Sequence, residues 1–459
     1  MNIENLFKVK NIAIVGISEN KGFGKDVWTN MSTYMTNTDN IYFVNPKRDE
    51  MFGRKCYKSI SDIEVDIDLL VICSNKNTVI NSLIEGSKKN VKSAVVYASG
   101  FSEVGDEEGI NLEKELIRTA KELDIAIMGP NCAGFNNFND NIFAFAFLSE
   151  KRDRKGNVAF VSQSGQLALS MMDSNQTKLS YCISCGNGAI FSIEDYLLYV
   201  VEDDNTKVIS CYIEGIKNFE KFEKFLMRAY ELNKKVVILK VGRSKKGKEM
   251  TASHTGSVEN NNIDFDNLLK KYKIIKVDDL EELITISNVF SVIKTLPKNK
   301  NVCSLNLSGG EASIVCDIGN DYNINFPDFN KETSDFLAEQ LPFYATVHNP
   351  LDMTVTLSYD TEHFSKVLEL VMDDDNIGMI IISYTLLLNI DDECPYYLTE
   401  GIKRAVSSKG LDKKPILMLP FISNTRNVEY QEKLRELGVP ILSVPKYAFS
   451  AIKKMLDII

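Results

Sequence analysis

In Asn11-Ile12-Ala13-Ile14-Val15-Gly16-Ile17-Ser18-Glu19-Asn20-Lys21-Gly22-Phe23-Gly24-Lys25 an apolar run breaks on a glycine and gives way to a helical pattern. The run Ile12 to Val15 shows no alternation, so it reads as a strand buried on both faces, the usual state of a parallel strand. The glycines let backbone N–H groups approach an anion, and the helix expected from Asp26 to Tyr34 turns its positive end toward that point. Gly16, Ser18 and Lys25 are the candidates for touching it. The spacing is looser than the G-x-G-x-x-G of dinucleotide enzymes. The same unit recurs where Val158-Ala159-Phe160-Val161 runs into Ser162-Gln163-Ser164-Gly165, and where Val302 to Leu307 runs into Ser308-Gly309-Gly310-Glu311. The expected fold is therefore α/β, with three doubly wound parallel-sheet domains.

The first third fills in accordingly. Strands are expected at Ile41–Val44, Leu69–Cys73, Ala94–Tyr97 and Ile125–Met128, with helices at Val79–Ser87 and Glu107–Leu123. The second helix places Leu112, Leu116, Ala120 and Leu123 on one face. Ligands of such sheets sit at the carboxyl ends of the strands. That edge gathers Gly16, Ser18, Asn45, Pro46, Lys47, Ser74, Ser99-Gly100-Phe101 and Gly129-Pro130-Asn131-Cys132-Ala133-Gly134. An NAD site wants an acid after the second strand, but this chain offers Asn45-Pro46-Lys47-Arg48. A basic pair suits a phosphorylated ribose, as in coenzyme A or NADP, and does not by itself separate the two.

At 459 residues the chain is too long for one core, and about three domains are expected. The charged connector Lys151–Gly156 and the stretch Leu296–Lys300 divide it into 1–150, 151–297 and 298–459. A net charge of −10 argues against a general nucleic-acid binder. No apolar run reaches the length of a membrane span, and Met1–Asn5 lacks the pattern of a secretory signal. Nine cysteines, an odd count, fit reduced thiols in a cytoplasmic protein. Cys182-Ile183-Ser184-Cys185 has a metal-like spacing, but no second pair or nearby histidine accompanies it, so no metal site is expected.

Chemistry concentrates in the middle third. Ser162 to Gly165 opens a helix at the end of a buried strand. One capping residue suffices for a helix, so this run of small polar residues reads as a phosphate seat, with Ser164 and Gly165 at its centre. Glu214 ends the strand Val208–Ile213. The strand Val236–Gly242 leads into Ser244-Lys245-Lys246-Gly247-Lys248-Glu249-Met250-Thr251-Ala252-Ser253-His254-Thr255-Gly256-Ser257, expected to be an exposed loop. His254, one of three histidines, has no apolar surroundings to fill and reads as a nucleophile that carries a phosphoryl group. Such an imidazole needs an acceptor on its second nitrogen, and Glu214 is the candidate. His348 and His363 read as structural or exposed. In the last third, Val347-His348-Asn349-Pro350-Leu351-Asp352-Met353-Thr354 offers Asp352 as a candidate to bind or orient a group at the acyl end.

Taken in order, Gly129-Pro130-Asn131-Cys132, Val161-Ser162-Gln163-Ser164-Gly165, Tyr212-Ile213-Glu214 and Ser253-His254-Thr255-Gly256 resemble the nucleotide-diphosphate-forming acyl-CoA synthetases, relatives of succinyl-CoA synthetase. Within them the chain is most similar to alpha subunits of the acetyl-CoA type. The resemblance covers nearly the whole chain. It implies a Rossmann-like CoA-binding domain followed by two flavodoxin-like domains. His254 would be phosphorylated, Glu214 would be its carboxylate partner, and Ser164 and Gly165 would seat phosphate. CoA would be a substrate, held by Gly16, Ser18, Lys25, Asn45, Pro46, Lys47, Ser74 and Asn131. An ATP-grasp beta subunit in an α2β2 assembly would hold ADP or ATP with Mg2+, since no ATP-grasp sequence is visible here. The other substrate would be a small carboxylic acid or its thioester.

Two departures stand out. After Gly256 the family runs through small residues, whereas this chain has Ser257-Val258-Glu259-Asn260-Asn261-Asn262. Ala133 stands where the succinyl type has proline. Two other functions are open to the fold: a CoA-binding regulatory subunit without turnover, and an NADP oxidoreductase. The His254–Glu214 pair speaks against the first. Asn45 in place of an acid, and the lack of a hydride-transfer constellation, speak against the second.

Overall fold

The computed structural model describes residues 1–459 except 150–153, 256–264, 344, 355–356, 358, 386–391 and 423–426, and for 252–255 the backbone alone. The chain forms two compact units, Met1–Leu280 and Glu281–Ile459.

The first unit carries two sheets. Strands β1 (Ile12–Val15), β2 (Ile41–Val44), β3 (Glu50–Met51), β4 (Arg54–Tyr57), β5 (Leu69–Ile72), β6 (Ser93–Val96) and β7 (Ala126–Met128) lie in the order β3-β4-β2-β1-β5-β6-β7. Apart from the antiparallel edge strand β3, every pairing is parallel. Counted without β3, the order is the Rossmann order, with its switch point between β1 and β5. All four residues of β5 and of β6 are buried, as the apolar runs Leu69–Ile72 and Ala94–Val96 require.

The second sheet uses β8 (Gly134–Asn137), β9 (Ile142–Phe145), β10 (Lys155–Ser162), β11 (Leu179–Ser184), β12 (Val208–Ile213), β13 (Lys235–Lys240) and β14 (Ile275–Val277). Their order is β14-β13-β12-β10-β11-β8-β9. Strands β10 to β14 are parallel in the flavodoxin order, with the switch point between β10 and β12. The hairpin β8–β9 extends this sheet antiparallel beside β11.

The sheets cut the chain at other points than the charged connectors do. The β8–β9 hairpin precedes residue 150 yet completes the second sheet. One apolar core also spans both sheets. Phe7 shows how: its ring stacks on Tyr199 at 4.6 Å and meets Phe135 edge-on at 4.9 Å. Burying one such side chain contributes about 1.5–3 kcal/mol. Asn30, buried on the helix Phe23–Tyr34, donates to the carbonyls of Phe145 and Phe147, each at 2.8 Å.

One expectation is corrected. The stretch from Ser244 to Ala252 is not a loop, because a helix spans Lys245–Thr255. Ser244 starts it: its Oγ accepts the Gly247 N–H at 3.1 Å, and its carbonyl accepts the Lys248 N–H at 2.9 Å. Lys, Glu, Met and Ala are good helix formers, and their polarity keeps this helix exposed without unwinding it. Gly242, at φ +79°, lets the helix return: a Cβ there would lie 2.9 Å from Thr251 Oγ1.

The second unit holds a parallel sheet of β15 (Val302–Asn306), β16 (Leu351–Asp352), β17 (Met379–Ser383) and β18 (Ile416–Leu419), in the order β16-β15-β17-β18. It repeats the start of the flavodoxin order. Helices Thr361–Asp373 and Cys394–Lys409 supply much of its apolar core.

Candidate active site

The first crevice opens at the β1/β5 switch point. Gly16 has φ +81°, and a Cβ on it would lie 2.9 Å from the Ser74 nitrogen, so only glycine lets the two loops meet. Gly24 makes a second close approach, its would-be Cβ 2.9 Å from the Gly16 carbonyl oxygen. These contacts bring Gly16, Ser18 and Ser74 to one rim with the start of the helix Phe23–Tyr34. Ser18 Oγ accepts the Asn20 N–H at 3.1 Å, and Ser74 Oγ accepts from Thr78 Oγ1 at 2.6 Å. Asn45 ties the loops after β1 and β2 together. Its Nδ2 donates to the Ile17 carbonyl at 2.8 Å, and its Oδ1 accepts the Lys47 N–H at 2.9 Å. Lys25, Pro46, Lys47 and Arg48 are exposed. The rim is thus narrow, glycine-lined and flanked by cations, which suits the phosphates of a nucleotide-like ligand.

The second crevice opens at the β10/β12 switch point. Ser164 caps the helix Gly165–Asp173, its Oγ accepting the Leu167 N–H at 3.4 Å. Ser162 Oγ accepts the Ser164 N–H at 3.0 Å and donates to the Ser164 carbonyl at 2.7 Å, closing a tight turn. Gly165 is needed for room: a Cβ there would lie 3.0 Å from Ala133 Cβ. Gln163, a residue the sequence reading passed over, reaches across the switch point. Its Oε1 accepts the N–H groups of Glu214 and Gly215 at 2.6 and 3.1 Å, and its Nε2 donates to the Gly215 carbonyl at 3.0 Å. Lys240 Nζ donates to the Glu214 carbonyl at 2.9 Å, and Tyr212 donates its hydroxyl to Glu214 Oε1 at 3.3 Å. Burial, with the Glu214 charge beside it, holds the Tyr212 phenol well above its usual range, so it stays a donor. Ser164, Gly165 and Glu214 therefore share one edge, all half-buried.

Loops join the two crevices. Asn131, at φ +54°, donates from Nδ2 to Asn187 Oδ1 at 3.2 Å. The Asn187 and Ala189 N–H groups donate to the Pro130 and Gly129 carbonyls at 2.9 and 3.1 Å. Cys132 is buried beside them, and burial pushes its thiol up to about 12. The helix Lys245–Thr255 lies against the short turn Ser102–Val104 that follows β6. The position of His254 is on that helix, while its side chain, and all of Gly256 and Ser257, lie outside the described residues.

Elsewhere, Asp352 Oδ1 accepts the Thr354 N–H at 2.9 Å. His348 is exposed. His363 is exposed and paired with Asp360 at 2.6 Å on a helix start. Both cysteines of the 182–185 pair are buried free thiols. Among the described residues no group of three His, Cys, Asp or Glu could hold a metal ion, and no helix is long and apolar enough to cross a membrane.

Two family models match the chain: a CoA binding domain over residues 10–137 and a succinyl-CoA ligase like flavodoxin domain over 155–290. A trans-feruloyl-CoA synthase from an unknown prokaryotic organism is 31% identical over 99% of this chain and 65% of its own length. An ADP-forming acetate–CoA ligase of Methanocaldococcus jannaschii is 37% identical over 75% of this chain and 48% of its own. The chain thus spans about two thirds and about half of these two relatives. The alpha subunit of ADP-forming acetate–CoA ligase II of Pyrococcus furiosus is 31% identical over 97% of this chain and 95% of its own. A solved acetyl-coenzyme A synthetase of Ca. Korarchaeum cryptofilum, in complex with phosphate and ADP, superposes with a TM-score of 0.83 at 26% identity, covering 100% of this chain and 97% of that one. With both switch points and both matched domains in place, the chain belongs to the ADP-forming acyl-CoA synthetase family related to succinyl-CoA ligase, as a homologue of its alpha subunits.

Proposed function

We propose that this chain is the alpha-type subunit of a cytoplasmic ADP-forming acyl-CoA synthetase that interconverts acyl-CoA, phosphate and ADP with a carboxylic acid, CoA and ATP. The observation that carries the reading is the meeting of Ser164, Gly165 and Glu214 at one flavodoxin-type switch point, in a unit whose other switch point is a glycine-lined, cation-flanked rim. CoA lies along that rim, against Gly16, Ser18, Lys25, Asn45, Pro46, Lys47, Ser74 and Asn131. Labour divides along the chain, with CoA binding in the domain built on β1 to β7, phosphoryl carriage in the domain built on β8 to β14, and a third domain built on β15 to β18.

The chemistry runs in three displacements. A phosphate oxygen seated at Ser164 and Gly165 attacks the thioester carbonyl; the C–S bond breaks and CoA leaves as thiolate, which takes a proton. The imidazole of His254 then attacks phosphorus, and the carboxylate leaves. Glu214 accepts the hydrogen bond of the second ring nitrogen and steadies the cation that forms. Finally an oxygen of the ADP β-phosphate takes the phosphoryl group from His254. Phosphohistidine suits the middle step because it retains the transfer potential of the thioester. ADP and its Mg2+ sit on an ATP-grasp beta subunit in an α2β2 assembly, and the helix carrying His254 travels between the two sites.

The test is reconstitution with an ATP-grasp chain and a panel of thioesters that includes acetyl-CoA and feruloyl-CoA, scored for ATP from phosphate and ADP. ATP formed from any of them is the expected result; none from the whole panel overturns it. His254→Ala should abolish acid-labile labelling from ATP in the complex, and undiminished labelling would remove His254 from the path.

A further inference from the structure

One residue ties the two crevices together, by its side chain on one side and its backbone carbonyl on the other. Asn187 sits on the loop after β11, between Gly186 and Gly188, at φ +61° and +63°. A Cβ on Gly186 would lie 2.3 Å from the Pro130 carbonyl oxygen, so this loop is pressed onto the 129–134 segment of the first crevice. Every polar group of Asn187 is used. Its N–H donates to the Pro130 carbonyl at 2.9 Å. Its Nδ2 donates to Glu103 Oε2 at 2.6 Å and to Glu113 Oε2 at 2.9 Å. Its Oδ1 accepts from Asn131 at 3.2 Å, and its carbonyl accepts from Lys217 Nζ at 2.7 Å.

The partners make this arrangement specific. Glu103 Oε1 accepts the Gly100 and Phe101 N–H groups at 2.5 and 3.3 Å, fixing the turn after β6. Glu113 Oε2 accepts the Ser102 N–H at 3.4 Å from the helix Glu107–Leu123. Lys217 belongs to the loop that begins with Glu214, and its N–H is held at 2.6 Å by Glu194, a fully buried carboxylate. A bend of Asn187 would therefore reach the CoA rim through Gly100 and Asn131, and the Glu214 loop through Lys217. An amide is the right group, because it donates to the carboxylates while accepting from Asn131.

We infer that Asn187 is a positioning residue that sets the register between the thioester end of the CoA rim and the phosphate seat. This rests on the functional reading above. Register acts on the transition state more than on CoA binding, since the Gly16–Ser74 and Asn45–Ile17 contacts of the rim do not involve Asn187.

The test uses the full chain alone and in the reconstituted complex. Asn187→Ala should lower kcat by about 10- to 100-fold while CoA affinity, by calorimetry, stays within about threefold. Asn187→Asp places a third carboxylate against Glu103 and Glu113 and should be worse. Adding Glu113→Gln restores a donor–acceptor match and should recover part of the loss. Hydrogen exchange of the chain alone gives a readout independent of turnover. Amides of 99–104 and of 214–218 should both exchange at least about tenfold faster in Asn187→Ala. Faster exchange confined to 186–188 overturns the coupling, as does a kcat loss matched by an equal loss of CoA affinity. If the wild-type complex makes no ATP, the functional reading falls, and the exchange comparison still decides the register.

Discussion

Replacing Gln163 by Leu should both loosen the second crevice and displace Glu214. The side chain makes three hydrogen bonds to the backbone of Glu214 and Gly215, at 2.6, 3.1 and 3.0 Å. Each is worth about 0.5–1.5 kcal/mol net, which for three sums to about 1.5–4.5 kcal/mol. Gln163 and Glu214 are half-buried, so water replaces part of the loss, and about 2 kcal/mol is expected. In a unit of this size that lowers the melting temperature by about 4–8 °C. Gln163→Glu separates geometry from hydrophobic loss. The new carboxyl keeps the two acceptor bonds, but when ionised its second oxygen faces the Gly215 carbonyl, whereas the protonated form donates to it. The fold thus favours the protonated form, and the deficit of this variant should shrink as pH falls. The assays are thermal melts of the full chain at pH 5 to 8 and turnover of the reconstituted complex. A melting point within about 1 °C of wild type for Gln163→Leu, with unchanged kcat, would refute the crossing of the switch point by this side chain.

Gly16→Ala forces a Cβ to 2.9 Å from the Ser74 nitrogen at φ +81°; the backbone alone costs about 1–2 kcal/mol, and calorimetry should show weaker CoA binding. Cys316 is exposed while the other cysteines are buried or half-buried, and burial pushes the Cys132 thiol up to about 12. Titration of the native chain with a disulfide reagent at pH 8 should give a single fast thiol, lost in Cys316→Ser; fast modification of Cys132 would contradict its packing. Burial raises the Glu311 carboxyl above its usual range despite bonds from Leu307 and Ser383. Its ionisation therefore opposes folding, a penalty absent below the unfolded value of about 4.3 and complete above the raised folded value. Glu311→Gln should gain stability over wild type as pH rises from 4 to 8 in urea melts, and a gap independent of pH would reverse that sign.

Parallel strands buried on both faces announce themselves as unbroken apolar runs, so β1, β5 and β12 were legible. The glycine turns after β1 and β10 were legible too, because the positive φ of Gly16 and the close approach of Ala133 to Gly165 leave few residues able to stand there. The β8–β9 hairpin was readable in principle, since Asn139-Asp140-Asn141 separates two aromatic runs. Its pairing with β11 was not, because local pattern does not say which sheet a strand joins. The stretch before His254 was misread because polarity reports exposure and not conformation, and a helix start needs only one serine cap.

The sequence by itself determined the parallel α/β class, the three strand–glycine–helix units and the residue types at their carboxyl ends, because each depends on neighbours within about a dozen positions. The tertiary structure alone decided which ends meet. Strand order puts Gly16 against Ser74 and Gln163 against Glu214, and a shared core presses Asn187 between Asn131, Glu103 and Lys217. Such contacts join residues dozens of positions apart, fixed by the pairing of strands and the burial of a common core, and nothing in a local window of sequence encodes them.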